Sequence, residues 1–358
     1  MNDPLNPIEK VDEKFSPLTP ADEPRSQWRN WHLPVLLVLA IGSYLIITRR
    51  SAPSTAPYQQ NEGAIFGTFY HITYQFEKDL QDGINAELQR VDGSLSMFNQ
   101  QSILSRMNRG EDVQADSLFR AVFRFSQQVS NATEGAFDIT VAPLVNAWGF
   151  GFKNGELPDS ATVDSLRRLV GFRRISLDEK GHLRREDPNM ILDCGAVAKG
   201  FGVDQVANFL RSHGIQNYMV EIGGEVIVHG VNPNGQPWRV GVNRPDDDPL
   251  SLSHQVDTVL MLTDCAMATS GNYRNYYFTE DGRRVSHTID PATGYPVQHS
   301  ILSSTVLAPT CAEADAFATS FMVLGLERAK EVIAHHPELQ VYFICDSSGT
   351  YTVYSTVQ

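Results

Sequence analysis

Cysteine and positive charge are both scarce in this chain. Its four cysteines are spread over 358 residues without C-x-x-C spacing, which argues against a zinc site and against the disulfide framework of a small secreted domain. Lys and Arg number 29 against 42 Asp and Glu, which gives a formal net charge of −13. That balance argues against nucleic acid as a partner.

Two widespread catalytic signatures are missing as well. The chain has no G-x-x-x-x-G-K-[ST] segment, which excludes a Walker-type phosphate loop, and no G-x-S-x-G segment, which argues against the nucleophile elbow of a hydrolase. What the chain does have is an ordinary globular composition, with 42% hydrophobic residues. After the N-terminal segment, about 300 residues are left for one large domain or two closely packed ones.

The N-terminal segment divides into three parts. Residues 1–30 are polar and contain five prolines, so we expect a disordered leader. Residues 31–48 form an apolar run without a formal charge, just long enough to predict a transmembrane anchor. A buried core helix and a cleaved signal peptide are the alternatives. Residues 49–61 are predicted to tether the anchor to a globular domain over 62–358.

Apolar periodicity predicts helices and strands in a mixed order. Helical spacing recurs near 80–95, 118–129, 161–170 and 203–210, and again over 312–324 and 326–335. Strands are predicted over 64–75, 218–228, 238–243, 258–263 and 304–307, with a polar turn at 269–271 and a closing hairpin over 341–354. Because this order is neither a regular βαβ repeat nor all-β, the predicted fold class is α+β.

A carboxylate and a hydroxyl recur near the end of the chain at helical spacing. Asp315 and Thr319 are four residues apart, so on a helix both side chains lie on one face. Both are hard oxygen ligands of the kind that Mg²⁺ prefers. The pair therefore predicts a metal site, although Asp315 alone is also typical of a helix N-terminus, where a negative charge complements the dipole.

A second polar segment combines a carboxylate, a glycine turn and a lysine where a helix begins. It is Asp193-Cys194-Gly195-Ala196-Val197-Ala198-Lys199-Gly200. Lys199 and the amides of the helix N-terminus are suited to phosphate. A helix start with a solvated lysine is the alternative interpretation.

Three further segments complete a candidate cleft. Phe137 follows a glycine turn and could stack on a ligand ring, or be a core aromatic. Gly223 and Gly224 interrupt a strand, which favours a β-bulge over a close approach to a ligand. His287 is the best candidate proton carrier, although a lone histidine is usually structural. Together the segments suggest a metal-assisted enzyme acting on a phosphate-bearing ligand.

In combination these segments resemble the ApbE family of flavin transferases. The matching residues occur in the family's order from about residue 64 to residue 325. They are 66–68 (Phe-Gly-Thr), 94–98, Ser102, Asn108, 135–140, 148–151, 193–200, 221–225, 268–273, 287–296 and 314–319. One such motif would be weak, but nine in order are highly specific.

The resemblance implies mixed, largely antiparallel sheets flanked by helices, and a Mg²⁺-dependent enzyme with FAD as donor. Such an enzyme transfers FMN through a phosphoester to a Thr or Ser of an acceptor protein and releases AMP. The implied metal contacts are Asp315, Thr319 and the carbonyl of Ala196. The implied flavin contacts are Phe66, Phe98, Ala136, Phe137, Asp138, Asp193, Lys199 and Ile289. His287, Lys199 and Asp193 are the expected catalytic residues.

The resemblance also bears on location and on partners. Family members are usually exported and tethered to a membrane, which implies a single-pass protein of the bacterial inner membrane with a periplasmic catalytic domain. A subunit of a membrane redox complex is the expected acceptor. A metal-dependent FAD pyrophosphatase and a non-catalytic flavin-binding protein are the rival functions. The chain has no acceptor motif of the D-x-x-[ST]-G-A-T kind, so we do not expect it to be a covalent flavoprotein itself.

Overall fold

The computed structural model describes residues 35–39, 56–150, 157–245, 256–272, 276–278, 284–347 and 350–357. The chain divides into two units, Met1–Thr55 and Ala56–Gln358. In the first unit, residues 35–39 are helical and exposed; the leader and the rest of the predicted anchor lie outside the described residues. Within the described part of the chain, no helix is both long enough and apolar enough to cross a bilayer.

The second unit contains fourteen described strands and seven described α-helices. The strands are β1 (Tyr58–Ile65), β2 (Thr68–Gln75), β3 (Ile175–Leu177), β4 (Leu183–Arg185), β5 (Tyr218–Ile222), β6 (Glu225–His229), β7 (Trp238–Asn243), β8 (Val256–Leu262), β9 (Cys265–Gly271), β10 (Tyr276–Phe278), β11 (Arg284–Ser286), β12 (Ile301–Ala308), β13 (Gln340–Ser347) and β14 (Thr350–Ser355). The helices are α1 (Gln81–Leu95), α2 (Ile103–Asn108), α3 (Ser117–Ala132), α4 (Ala142–Ala147), α5 (Ser160–Arg167), α6 (Gly195–Ser212) and α7 (Cys311–His335).

One large antiparallel sheet organises this unit. Its strand order is β1-β2-β5-β6-β9-β12-β13-β14, and every neighbouring pair is antiparallel. Side chains of successive strand residues point to opposite faces. One face packs against α6 and α7, while the other packs against the β7–β8 ribbon, through Val226 and Met267 on the sheet and Trp238 and Leu262 on the ribbon. The predicted α+β class, with antiparallel sheets flanked by helices, is confirmed.

The N-terminus of α7 is capped twice. Thr310 and Glu313 form a capping box, in which the Thr310 hydroxyl accepts from the Glu313 amide and the Glu313 carboxylate accepts from the Thr310 amide. Asp204 of α6 adds a second cap, because its buried carboxylate accepts from the amides of Cys311 and Ala312, both at 2.9 Å. The register between α6 and α7 is therefore fixed at the end of α7 that enters the candidate site.

Gly200 lets α6 and α7 approach closely at the same level. A Cβ at this position would overlap the Cys311 carbonyl oxygen and lie 2.9 Å from the Cβ of Asp315. The Gly200 amide also donates to Asp315 Oδ2 at 3.0 Å. A side chain at position 200 would therefore push apart the two helices that hold the predicted metal and phosphate residues.

Several local predictions hold and three are wrong. The predicted break between helices at 324–326 is a kink of α7 at Gly325, whose φ is 73°. The predicted strand 64–75 is instead two strands, β1 and β2, joined by a turn at Phe66 and Gly67. The predicted strand 218–228 with a bulge is also a hairpin, because Gly223 and Gly224 form the turn between β5 and β6. The predicted turn at 269–271 belongs to β9.

Gly200→Ala is expected to lower the free energy of unfolding by about 1–3 kcal/mol, because the added methyl group forces a packed helix pair apart. Gly93→Ala is the matched control, since Gly93 lies in α1 with no atom within 4 Å of the new Cβ. That control should be neutral or stabilise by up to about 1 kcal/mol. Urea denaturation of both variants measures the difference, and equal stabilities would contradict the close-packing argument.

Candidate active site

A cavity of about 490 Å³ opens at one end of the large sheet. It lies where the β5–β6 turn and the end of β9 meet the first turn of α6 and the first half of α7. Its volume is in the range of small-molecule sites. All of the predicted site residues except Phe66 and Phe98 line it, namely Ala136, Phe137, Asp138, Asp193, Ala196, Lys199, His287, Ile289, Asp315 and Thr319.

The wall formed by α7 presents the predicted carboxylate and hydroxyl. Asp315 is 4% exposed, and one of its oxygens accepts from the Gly200 amide. The other oxygen receives no hydrogen bond from any residue that the structure describes. Thr319 lies one turn further along α7, and its hydroxyl is 3.1 Å from the Ser270 hydroxyl of β9. The cavity wall thus carries an open carboxylate oxygen with hydroxyl groups nearby.

The entry to α6 is held by residues distant in sequence. Asp193 Oδ1 accepts from the Gly195 amide at 2.7 Å, while the Asp193 amide donates to the Ile139 carbonyl at 2.7 Å. The Asn108 side chain holds Leu192, the residue before Asp193, by donating to the Leu192 carbonyl and accepting from the Leu192 amide. Burial raises the pKa of the Asp193 carboxyl, and the Gly195 amide opposes that shift. Asp193 therefore helps to start the helix whose first turns line the cavity.

Lys199 pairs with a carboxylate that was not among the predicted site residues. Its Nζ lies 2.6 Å from Glu225 Oε1, and Glu225 is 3% exposed at the start of β6. The other Glu225 oxygen is buried and has no hydrogen-bond partner in the described part of the chain. The sequence signal for Glu225 was a lone acid directly before the apolar run Val226-Ile227-Val228. A carboxylate at the start of a buried strand is expected to pair with a cation or a hydrogen-bond donor.

Two carboxyl groups compete for one ammonium in the described part of this wall. Burial raises the pKa of Glu225 to about 8, and the nearby Asp315 adds to the shift while Lys199 opposes it. Burial likewise raises the pKa of Asp315, while Lys199 and the Gly200 amide act to lower it. Burial alone would lower the pKa of Lys199, but Glu225 and Asp315 together raise it. With both carboxyls ionised, the wall has one negative charge in excess, which a proton on Glu225 or a bound cation would neutralise.

The donor set is sparse for a metal held by protein alone. Among the described residues, no group of three or more His, Cys, Asp or Glu side chains could hold an ion. A carboxylate, a hydroxyl and a backbone carbonyl nevertheless suit Mg²⁺, which usually binds through one or two carboxylates and completes its shell with water and substrate phosphate. The open Asp315 oxygen and the excess charge fit such an ion.

The opposite wall is largely apolar. Phe137 is buried in the core cluster around α3 and α7 and also lines the cavity, so both predicted interpretations of it hold. Asp138 uses its carboxylate internally: Oδ1 accepts from the amide and hydroxyl of Thr140, and Oδ2 from the Phe172 amide. Burial raises the pKa of Asp138 against these hydrogen bonds. Its visible role is to hold the loop that presents Phe137.

His287 and Ile289 reach the cavity on a separate segment. Ile289 is buried in a small cluster with Leu144 and Trp148. The Trp148 indole donates to the Gly294 carbonyl at 2.8 Å, which ties this segment to the loop after α4. The ring of His287 lies edge-to-face with Phe150, with centroids 6.2 Å apart. The structure thus brings the candidate proton carrier to the same cavity as Lys199 and Asp315.

The remaining two predicted flavin contacts lie elsewhere. Phe66 occupies the β1–β2 turn with a φ of 52°, and its ring covers Gly202 of α6. Phe98 follows α1 and is 72% exposed. Neither side chain forms part of the cavity wall. Their roles in flavin binding stay predictions.

Comparison with known sequences places this chain among flavin transferases. The ApbE family profile matches residues 66–343 of the chain. The FAD:protein FMN transferase of Vibrio cholerae is 36% identical over 339 residues, covering 92% of this chain and 97% of that protein. The protein of the same name from Escherichia coli strain K12 is 34% identical over 310 residues, covering 83% of this chain and 87% of that protein.

Solved structures agree with the sequences. The flavin transferase ApbE from Vibrio cholerae matches with a TM-score of 0.75 at 35% identity, over 84% of this chain and 97% of that one. The apo crystal structure of the flavinyl transferase ApbE from Pseudomonas stutzeri matches with a TM-score of 0.75 at 29% identity, over 84% of this chain and 95% of that one. The similarity therefore covers most of the chain.

Glu225→Gln is expected to flatten the pH dependence of stability. Because the folded pKa of Glu225 is raised to about 8 from an ordinary 4.5, its contribution to stability is complete below pH 4.5 and is lost as the pH rises through 8. At about 1.4 kcal/mol per pKa unit, the loss amounts to a few kcal/mol. Gln does not ionise, so the variant should not lose this stability as the pH rises.

Urea denaturation between pH 5 and 8.5 in EDTA measures this difference. Glu327→Gln is the control, because Glu327 is an exposed carboxylate on α7. Its stability profile should run parallel to that of the wild type. A Glu225→Gln profile as steep as the wild-type profile would contradict the raised pKa.

Proposed function

The chain belongs to the ApbE family and is a transferase, and from this premise we propose that it moves FMN from FAD to a Thr or Ser hydroxyl of an acceptor protein, forming a phosphoester and releasing AMP. The strongest support is the cluster of Lys199, Glu225 and Asp315 at the cavity wall. The Lys199 ammonium can bind the phosphates of a pyrophosphate, and the Asp315 carboxylate can bind a cation that neutralises them. The apolar wall around Phe137 and Ile289 suits a flavin ring.

We assign the metal site of this proposal to Asp315, Thr319 and the Ala196 carbonyl. All three residues line the cavity, and the open Asp315 oxygen and the excess carboxylate charge support the assignment. When bound, Mg²⁺ would neutralise charge on the phosphates and polarise the bond that breaks. The pair of half-buried Lys199 with buried Glu225 stands beside this site.

The protein's own groups position the donor. Glu225 holds the Lys199 ammonium at the cavity wall, so that its remaining protons can donate to phosphate oxygens. The N-terminal end of α6, an 18-residue helix, points into the same cavity through Gly195 and Ala196. The positive end of its dipole favours negative charge, although the Gly195 amide itself donates to Asp193. Both features act where charge develops during phosphoryl transfer.

The transfer step exchanges the phosphoanhydride bond of FAD for a phosphoester bond to the acceptor. The acceptor hydroxyl oxygen bonds to the FMN-side phosphorus, the bond from that phosphorus to the bridging oxygen breaks, and AMP leaves with that oxygen. The hydroxyl proton passes to His287 or, in the alternative assignment, to Asp193; both line the cavity. With water in place of the acceptor, the same step would yield free FMN and AMP.

We further propose that residues 31–48 anchor the protein in the bacterial inner membrane as a single span, with the catalytic unit in the periplasm. The support is the sequence itself: the run is apolar and contains no formal charge. An acceptor in a membrane redox complex would then lie on the same surface as the enzyme.

Intact mass spectrometry tests the transfer. The full-length protein, FAD and Mg²⁺ are incubated with an acceptor domain that carries a D-x-x-[ST]-G-A-T motif. The acceptor should gain the mass of one FMN, and EDTA should abolish the gain. Free FMN and AMP beside an unmodified acceptor would establish the pyrophosphatase instead.

Asp315→Ala tests the metal assignment in the same assay. We expect the transfer rate to fall by about a hundredfold or more, because a group that stabilises the developing charge is lost. Glu327→Ala, which removes an exposed carboxylate from the same helix, should leave the rate unchanged. Wild-type transfer by Asp315→Ala at low Mg²⁺ would refute the assignment.

Cell fractionation tests the anchor. The full chain should sediment with membranes and resist extraction at alkaline pH, whereas a chain beginning at Ala56 should be released, because it lacks the apolar run. Added protease should reach the catalytic unit only after the outer membrane is opened. A full chain recovered in the soluble fraction would contradict the anchor.

A further inference from the structure

The outer face of the β7–β8 ribbon exposes large apolar side chains. Its inner face is buried against the sheet, whereas the register pairs Arg239 with Met261 and Gly241 with Val259 on the outer side. Met261 is 55% exposed and Val259 is 43% exposed. The solvent face of an antiparallel ribbon is normally polar, so large apolar side chains at this position need an explanation.

A β-bulge adds a third apolar side chain to this face. The register shifts between Val242 and Asn243, so that Val256 pairs with Asn243 and Asp257 is the extra residue. Without the shift, Val256 would follow the inward alternation of Leu262 and Leu260. The bulge turns it outward instead, where it is 51% exposed and would lie 3.4 Å from a Cβ at Gly241. Bulges commonly redirect a side chain beside an active site.

The same face is continuous with the cavity. Gly241 and Asn243 line the cavity, and Val256 lies against both of them on the adjacent strand. Gly241 has no side chain, and the exposed Val256 side chain lies beside it, so the ribbon presents an apolar surface where it meets the cavity. An extended polypeptide segment could pass close to the ribbon backbone at this position.

The outer edges of the ribbon add a second means of recognition. Within the described residues, β7 and β8 pair only with each other. Each strand therefore offers backbone amides and carbonyls to an added extended segment. The apolar face would contact alternate side chains of such a segment.

We propose that the outer face of the ribbon, formed by Val256, Val259 and Met261 beside Gly241, is the docking surface for the acceptor protein. This proposal rests on the proposed transferase function, which requires a Thr or Ser on a polypeptide to reach the cavity. The occupant is an extended acceptor segment with apolar residues flanking the modified hydroxyl. FAD and the metal bind at the opposite, helical side of the cavity, around Lys199 and Asp315.

Steady-state kinetics of the full-length protein separate docking from chemistry. Met261→Asp and Val259→Asp each place a charge on the exposed face without touching the cavity wall. We expect the KM for the D-x-x-[ST]-G-A-T acceptor domain to rise about tenfold or more. The rate at saturating acceptor and the KM for FAD should stay within about twofold of the wild type. Val353→Asp, at an equally exposed valine on β14, should leave all three values unchanged.

Each outcome has one meaning. If the wild type modifies the acceptor and both ribbon variants keep a wild-type KM for it, docking at the ribbon is refuted while the transferase function stands. If the wild type transfers no FMN, the transferase function fails and the docking proposal fails with it. If the wild type is a dimer that Met261→Asp dissociates, as measured by sedimentation, the face binds a second copy and the proposal is wrong.

Discussion

The close approach of α6 to α7 is the constraint on which the rest of the site depends. Gly200 permits that approach and donates its amide to Asp315, while Asp204 caps the first turn of α7. These contacts set the carboxylate of α7 at a fixed height beside Lys199 of α6. Each contact joins a backbone amide to a buried aspartate carboxylate, so it holds the side chain in place as well as the spacing of the helices. A metal and a phosphate bound at this wall would meet a rigid frame.

The balance of charge among the buried carboxyls and the lysine at this wall links the stability of the fold to its function. Two buried carboxyls, on Glu225 and Asp315, share the single ammonium of Lys199. Burial makes it costly to ionise both carboxyls at once, so the wall lowers the stability of the fold. A cation or a protonated carboxyl relieves the cost. The arrangement is typical of functional sites, where strongly shifted pKa values gather in a cleft.

The antiparallel sheet divides the cavity into two sides. Residues on the helical face of the sheet carry the charges, while the β7–β8 ribbon on the other face carries exposed apolar side chains. Both reach the cavity because it opens at the end of the sheet. The division suits an enzyme with two substrates of different kinds: a charged dinucleotide and a protein segment. In the proposed reaction, the end of the sheet would lie between the two substrates while their reacting groups meet.

Residue spacing in the sequence was enough to predict part of the candidate site. The sequence placed Asp315 and Thr319 on one helical face, and the break at Gly325, because both depend on residues within a single turn. It could not distinguish a bulge from a hairpin at Gly223, since the two share the same turn chemistry and differ only in strand pairing. The partnership of Lys199 with Glu225, and the apolar face of the ribbon, were decided by the tertiary structure alone. Contacts between distant segments depend on how strands and helices pack, and no short-range pattern encodes them.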